Sequence, residues 1–520
     1  MGTGERVCRF LEWSMAGSEV IEVEHKYSPS ESDALPRLGS IQGVDRVGPP
    51  VNQQLDAVYF DTESLALAAR RITLRRRSGG PDAGWHLKLP VTPGERREIG
   101  EPLGGDQDAV PELLRQLVLV YTRSRVLVPV AHIKTNRSST ALYAADGAVL
   151  AQFSDDHVEA QSLITPAEPS RWREWEIELA DGPRQLLQDA DTLLAAEGVS
   201  VSSLPSKLAR ALGPNYPCDP AAAPKPGRSG PASDVALSYM FQQVRALKLH
   251  DPGVRVDAPD AVHQLRVAAR RLRSALATFR KLTDKTSTKV LRAELQWLAG
   301  AVGQARDTEV IRARLKDMIN AEPPELLIGP VAQEIEEHLG TIQQQSRAAG
   351  LAALDSDRYF RLLDSLDAFL AAPPFTASAS KEALRTVGRL VSAEQKRLKT
   401  AVRAVDSATG RGPQDVALHE VRKSAKRLRY AAEAASPIFG KQSTALARAA
   451  EDIQEILGDF QDSVVTRETL LTLAAQSAAG RGNGFSYGRL HALEQLRGDQ
   501  ARARFYDAWQ KSRPKSLKWE

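Results

Sequence analysis

The segment Glu22-Val23-Glu24-His25-Lys26 sets two carboxylates and one ammonium at alternate positions. Successive side chains of an extended strand point to opposite faces, so Glu22, Glu24 and Lys26 share one face. Two carboxylates ~7 Å apart repel each other, and more so when desolvated. A divalent cation relieves that conflict, and Mg²⁺ or Mn²⁺ suits carboxylate oxygen combined with substrate phosphate. Other segments repeat the device. Glu174, Glu176 and Glu178 share a face, as do Arg75 and Arg77, and His86 and Lys88. Arg97, Lys134 and Arg137 add cations, and Asp155 and Asp156 follow the apolar segment Val149–Phe153. Turned inward, these faces would give a barrel with acids on one side and bases on the other, a site for a metal–triphosphate complex. A sheet with one simply wet face is the rival explanation, and agreement among five segments disfavours it.

A second set of chemical residues lies further on. His263-Gln-Leu-Arg-Val-Ala-Ala-Arg-Arg-Leu-Arg reappears 156 residues later as His419-Glu-Val-Arg-Lys-Ser-Ala-Lys-Arg-Leu-Arg. At 100° per residue, His263, Arg266, Arg270 and Arg273 fall on one helix face, with Leu265, Ala268, Ala269 and Leu272 opposite. His419, Arg422, Lys426 and Arg429 repeat that face, and Arg271, Lys423 and Arg427 widen the stripe. Like charges at these spacings disfavour an isolated helix, so acidic neighbours or a bound anion should offset them. Arginine forks match phosphate oxygens bidentately, which suits a repeating phosphate chain. A histidine adds a donor that titrates near neutrality. Duplex nucleic acid would meet the same residue types, but only Phe279 and Tyr430 are near for stacking, so nucleic acid is not expected. The apolar faces are alanine-rich and lack aromatic anchors, which speaks against a membrane surface.

The elements that must position these residues fall into two regimes. Residues 20–27, 72–77, 85–89, 149–153 and 172–179 alternate with period two, punctuated by Gly, Pro and Asp clusters. Helices are predicted near Pro111–Leu119 and Arg184–Ala196. The order suggests an antiparallel sheet or barrel with added helices. Residues 214–231 hold six prolines and read as a linker. Beyond Ser233 the period becomes 3.6, giving two similar helical bundles related by a pseudo-twofold axis. A later likeness, Leu298–Asp307 with Ile453–Asp462, extends the repeat.

Length and charge agree with this division. The 520 residues exceed one ordinary core. From Ala232 onward there are 44 Lys+Arg against 34 Asp+Glu, and before it 25 against 31, so the second part is basic and the first acidic. That asymmetry points to an anionic partner of the second part. Cys8 and Cys218 form no framework and read as reduced cytosolic thiols. No apolar run approaches ~20 residues, and residues 1–17 read as a tail without a secretory signal. Met15 is a candidate alternative start.

Two family resemblances rest on these residues. Residues 18–213 resemble the CYTH superfamily, the triphosphate tunnel metalloenzymes, through Glu22-x-Glu24-x-Lys26, Tyr59-Phe60-Asp61-Thr62, Leu74-Arg75-Arg76-Arg77 and Leu87-Lys88. The segments at Arg97, Lys134–Arg137, Glu176–Glu178 and Ser206-Lys207 follow in the family's order. Residues 232–515 resemble the CHAD domain, the conserved histidine α-helical domain, through the paired H-x-x-R-x-x-x-[KR]-R-x-R helices. The resemblances imply an α+β domain built on an eight-stranded antiparallel tunnel, followed by an all-α domain of two four-helix bundles that binds inorganic polyphosphate without catalysis.

The implied activity is metal-dependent hydrolysis of inorganic triphosphate or short polyphosphate. Glu22, Glu24, Asp155, Glu176 and Glu178 would hold one or two Mg²⁺ or Mn²⁺ ions, with Asp156 a rival for Asp155. Lys26, Arg75, Arg77, Lys88, Arg97, Lys134, Arg137 and Lys207 would hold phosphate and neutralise transition-state charge. Glu22, Glu24 and Lys26 are the catalytic candidates, a carboxylate or Lys26 orienting the attacking water. The rival readings are a non-catalytic polyphosphate receptor or granule protein, a thiamine triphosphatase, and an adenylate cyclase, the last without an evident adenine-recognition motif. Cytoplasmic location, with association to polyphosphate granules, is expected.

Overall fold

A computed structural model describes residues 18–92, 94–104, 109–165, 168–218, 222–479 and 484–511. The tail 1–17, with Cys8 and Met15, and residues 512–515 lie outside the described residues. The chain divides into two compact units, Met1–Ala222 and Ala223–Glu520.

The first unit is a closed antiparallel barrel. Its strands are β1 (Ser18–Tyr27), the two-residue β2 (Arg46–Val47), β3 (Val51–Asp61), β4 (Thr73–Ser78), β5 (Gly84–Thr92), β6 (Glu95–Glu101), β7 (Val128–Tyr143), β8 (Val149–Ser162) and β9 (Ser170–Leu179). The eight long strands run β7-β3-β4-β5-β6-β1-β9-β8, and β8 pairs back onto β7 to close the ring. Closure removes the unpaired edges that an open sheet exposes. The five predicted strands are all present. β3, β6 and β7 carry polar residues on both faces along much of their length, so their apolar alternation is weak.

Each strand commits one face to packing and one to the barrel interior. Tyr27, Phe153, Trp175 and Ile177 point outward and pack on Leu186, Leu187, Ala190 and Leu194 of α2 (Gln185–Ala196). The other predicted helix appears as α1 (Glu112–Thr122). A short helix, α3 (Lys207–Leu212), fills one end of the barrel, where Leu208 and Leu212 pack on Tyr59, Ile133, Val158 and Trp172. Ser206 caps it by accepting a bond from the Ala209 amide at 3.1 Å. That cap fixes Lys207 at the first turn, beside the interior.

The second unit is helical. Its helices are α4 (Ala232–Arg255), α5 (Ala261–Thr278), α6 (Lys285–Ala301), α7 (Gly303–Ala321), α8 (Val331–Leu354), α9 (Asp357–Ala371), α10 (Ala383–Ser407), α11 (Arg411–Phe439), α12 (Lys441–Ala479) and α13 (Phe485–Lys511). Neighbour packing repeats: α4 on α5, α5 on α6 and α7 on α8 correspond to α10 on α11, α11 on α12 and α12 on α13. The third position of the first set is broken at Val302, whereas α12 runs unbroken through the equivalent point. Helices α4 and α5 pack across to α10 and α11. The end of the predicted linker belongs to this unit: the carbonyls of Arg228 and Gly230 accept bonds from the Leu384 and Ala383 amides. Among the described residues, no helix is long and apolar enough to cross a membrane.

Candidate functional site

The barrel interior holds a cavity of about 370 Å³. Antiparallel register decides which side chains reach it, because directly paired residues point to the same face. Lys26 pairs with Glu176 and Glu24 with Glu178 across β1 and β9. Glu22 pairs with Arg96 on β6, Arg75 with His86, and Lys88 with both Thr73 and Glu98. All of these except Thr73 are charged or titratable, and all line the cavity together with Arg77, Arg137 and Lys207. The structure thus brings Glu22, Glu24, Lys26, Arg75, Arg77, Lys88, Arg137, Glu176, Glu178 and Lys207 into one space.

Three expected site residues are placed elsewhere. Lys134 is exposed on the outer face of β7, because a spacing of three in a strand sets it opposite Arg137. Arg97 points outward with Ile21, its partner in register, and Arg96 takes the inward position. Asp155 also faces away from the cavity. It accepts bonds from Arg173 Nε at 2.8 Å and Nη2 at 2.9 Å, and from Trp175 Nε1 at 2.9 Å. Asp156 is the inward residue: it receives Arg137 through two bonds of 2.8 and 2.6 Å and lies 2.9 Å from Lys207.

The Tyr-x-Asp-Thr segment divides its work. Tyr59 lines the cavity. Asp61 is buried and accepts bonds from the amides of Thr62, Leu67 and Ala68, so it organises the turn after β3. Arg96 and Glu98 join the site without having been selected from the sequence, and with them come Glu174, expected on the face of Glu176 and Glu178, and Asp156, the rival for Asp155. Strict alternation from the apolar Ile99 would have phased Arg96 and Glu98 inward.

The interior is a mesh of opposite charges. Lys26 donates to Glu24 at 2.8 Å and also to Glu176. Lys207 donates to Glu174 at 2.9 Å and to Glu176 at 2.6 Å, and Arg137 donates to Glu176 at 2.5 Å. Lys88 donates to both Glu22 oxygens at 2.6 Å. Burial disfavours the Glu176 charge, but Lys207, Lys26 and Arg137 hold its carboxyl well below the usual range. Glu22 goes the other way. Burial and a hydrogen bond with Glu98 push it up to about 8, against the pull of Lys88. Burial also raises Glu178, which among the described residues has no ion-pair partner within 4 Å.

That donor set fits a hard divalent cation. Glu22 keeps a proton that a cation would replace, and Glu178 is an uncompensated carboxylate. Among the described residues no three carboxylate, His or Cys groups form a ready metal cluster. Substrate phosphate and water would complete the shell, as is usual for Mg²⁺.

In the helical unit, α5 packs on α11. This gathers cations from both repeats into one group instead of leaving one basic face per bundle. Arg266, Arg270 and Arg422 act together on Lys426. Their Nε atoms are buried without hydrogen-bond partners among the described residues. Asp307 accepts from Arg266 at 2.8 and 3.1 Å. His419 Nδ1 lies 2.7 Å from Gln461 Oε1, and burial lowers the His263 pKa.

The remaining stripe residues are committed differently. Arg271 and Arg429 share Glu433, Arg427 pairs with Glu394, and Lys423 pairs with Glu420. Arg273 lies within reach of Arg292 and Arg270.

A CYTH domain model matches residues 20–212 and a CHAD domain model matches residues 238–471. The uncharacterised protein Rv2226 of Mycobacterium tuberculosis is 40% identical over 488 residues, covering 91% of this chain and 93% of its own. PptA from Streptomyces chartreusis is 26% identical, covering 54% of this chain and 99% of its own, with a TM-score of 0.44. The CHAD domain from the plant Ricinus communis is 26% identical, covering 57% and 98%, with a TM-score of 0.46. CYTH domains include triphosphatases and cyclases, enzymes that act on phosphoanhydrides. The chain belongs to the family of proteins that join an N-terminal CYTH domain to a CHAD domain.

Proposed function

We propose that the barrel hydrolyses the terminal phosphoanhydride of inorganic triphosphate or short polyphosphate with Mg²⁺ or Mn²⁺, and that the helical unit binds long-chain polyphosphate. One observation carries the catalytic half: Lys26, Arg75, Arg77, Lys88, Arg96, Arg137 and Lys207 all line one 370 Å³ cavity beside Glu22, Glu24, Glu98 and Glu178.

Seven cations match the repeated charge of a triphosphate and would hold its oxygens in line. Lys26 and Lys207 are already oriented by Glu176, so little reorganisation is needed when charge develops on the leaving phosphate. Glu22, Glu24 and Glu178 would hold the metal. When bound, it supplies further neutralisation of phosphate charge and lowers the pKa of a coordinated water. Glu178, free of an ion pair among the described residues, would orient the attacking water. The gathering of Arg266, Arg270, Arg422 and Lys426 where α5 meets α11 supports anion binding by the second unit.

A phosphate-release panel tests the reading, using triphosphate, thiamine triphosphate, ATP and long-chain polyphosphate with each metal. Triphosphate should be the preferred substrate. Binding of every member without turnover supports a receptor instead, and cyclic AMP from ATP supports a cyclase.

A further inference from the structure

A second cavity, of about 250 Å³, lies within the helical unit and is lined from α4, α5 and α11. It shares no lining residue with the cluster of Arg266, Arg270, Arg422 and Lys426. Ser238 and Gln243 of α4 line it, and each is 7% exposed. Neither side chain has a hydrogen-bond partner among the described residues. Buried polar groups are nearly always satisfied, so two bare ones on a single cavity point to an occupant. The internal repeat isolates what is different here. Pro231 pairs with Glu382, and the Ala232 and Ala383 amides donate to the Lys381 and Gly230 carbonyls. The repeats therefore meet symmetrically at the starts of α4 and α10. Gln243 and Glu394 lie equally far beyond that pair. Glu394 accepts a bond from Arg427 at 2.7 Å. Arg271 holds the place of Arg427 in the histidine-led motif, but it donates to Glu433 at 3.2 Å. The first repeat has Ala277 at the place of Glu433. The acid thus sits on α11 in place of α4, and the Gln243 amide is left to face the cavity.

The lining selects the kind of occupant. Arg271 and Glu433 are its two charged residues, and they pair with each other. Tyr239 also donates to Glu433, at 3.1 Å. No charge is left over for an ionic ligand. The groups that remain are the Gln242 and Gln243 amides and the Ser238 and Ser436 hydroxyls. Each of these both donates and accepts, as do the hydroxyls of a sugar or polyol. Pro226, Ala434 and Pro437 add apolar surface for its C–H groups. Sites for drug-sized ligands run to roughly 300–1,000 Å³, so this occupant is smaller. We propose that the cavity is a binding site for a small uncharged polyhydroxy compound, of monosaccharide size or less, held by Ser238 and Gln243.

Glucose, myo-inositol and glycerol are titrated into the full chain by isothermal calorimetry in chelator, with glucose 6-phosphate as the charged counterpart. At least one neutral compound should bind saturably, at one site per chain. Gln243→Met keeps the length of the side chain and removes the amide. Because that amide has no partner to lose, the melting temperature of the free chain should hold or rise. Affinity for the neutral compound should fall by roughly tenfold or more. Ser238→Ala is the second variant, and it should weaken binding several-fold with the circular dichroism unchanged. Three results overturn the proposal. They are no saturable binding of any neutral compound, which leaves water as the occupant; binding undiminished in both variants; and glucose 6-phosphate bound more tightly than glucose in a manner that Gln243→Met abolishes.

Discussion

Gly303 lies against the guanidinium of Arg266: a Cβ at position 303 would stand 3.0 Å from both its Cζ and its Nε. The Gly303 carbonyl also accepts a bond from Arg266 Nη1 at 3.0 Å. Gly458 repeats the relationship with Arg422, at 3.4 Å from Nη2. A glycine on the neighbouring helix therefore seats the first arginine of each histidine-led motif. Gly303→Ala should displace Arg266 and weaken long-polyphosphate binding several-fold, while Gly458→Ala should do less. Alanine favours helix by up to ~1 kcal/mol over glycine, so thermal stability should be kept. Binding isotherms and melting curves on the two variants check this, and unchanged binding by Gly303→Ala would contradict it.

The raised Glu22 carboxyl has a consequence for stability. Its folded pKa of about 8 lies above the ordinary carboxylate value, so between the two the folded state binds the extra proton. Metal-free protein should then lose stability as pH rises from about 5 to 8. Glu22→Gln should flatten that slope. Melting temperatures in chelator across this range supply the test, and adding Mg²⁺ or Mn²⁺ should restore stability most at the alkaline end.

Asp155 and Asp156 are neighbours in sequence with opposite assignments. Asp155 holds Arg173 and Trp175 on the outer face. Asp155→Asn should therefore cost about 2 kcal/mol of stability and leave the metal requirement unchanged. Denaturant melts and metal titrations of activity separate the two effects.

Lys134 and Arg137 make a similar pair. Lys134→Ala should leave KM for triphosphate within about twofold, since the side chain is exposed outside the barrel. Arg137→Ala should raise KM or lower kcat by more than roughly tenfold, because Arg137 faces the cavity and is held by Asp156 and Glu176. Steady-state kinetics on both variants provide the measurement.

Much of this site was legible in the sequence, because charged residues at alternate positions fix their own shared face. Glu22, Glu24 and Lys26 needed no more than the two-residue period of a strand. The same period, applied strictly, would have excluded Lys134 once Arg137 was inward, and would have separated Asp155 from Asp156. What it could not supply was phase for a polar strand such as β6, where Arg96 and Arg97 are equally cationic and only pairing with β1 decides between them. The helical unit was legible face by face, but the meeting of α5 and α11 is a tertiary fact. Only that contact separates Arg266, Arg270, Arg422 and Lys426 from Arg271, Arg427 and Arg429, which go to Glu433 and Glu394.

Orthophosphate release from inorganic triphosphate, by the wild-type chain and by Glu24→Gln, tests the central claim most directly. Glu24 contacts Lys26 at 2.8 Å and lines the cavity, so its loss strips one carboxylate from the metal-holding set and unseats a phosphate-binding lysine. The wild type should release phosphate with Mg²⁺ or Mn²⁺ and not in chelator. Glu24→Gln should fall by more than roughly 100-fold with its fold intact by circular dichroism. A wild type that binds triphosphate without releasing phosphate, or a Glu24→Gln protein of undiminished turnover, would contradict the account.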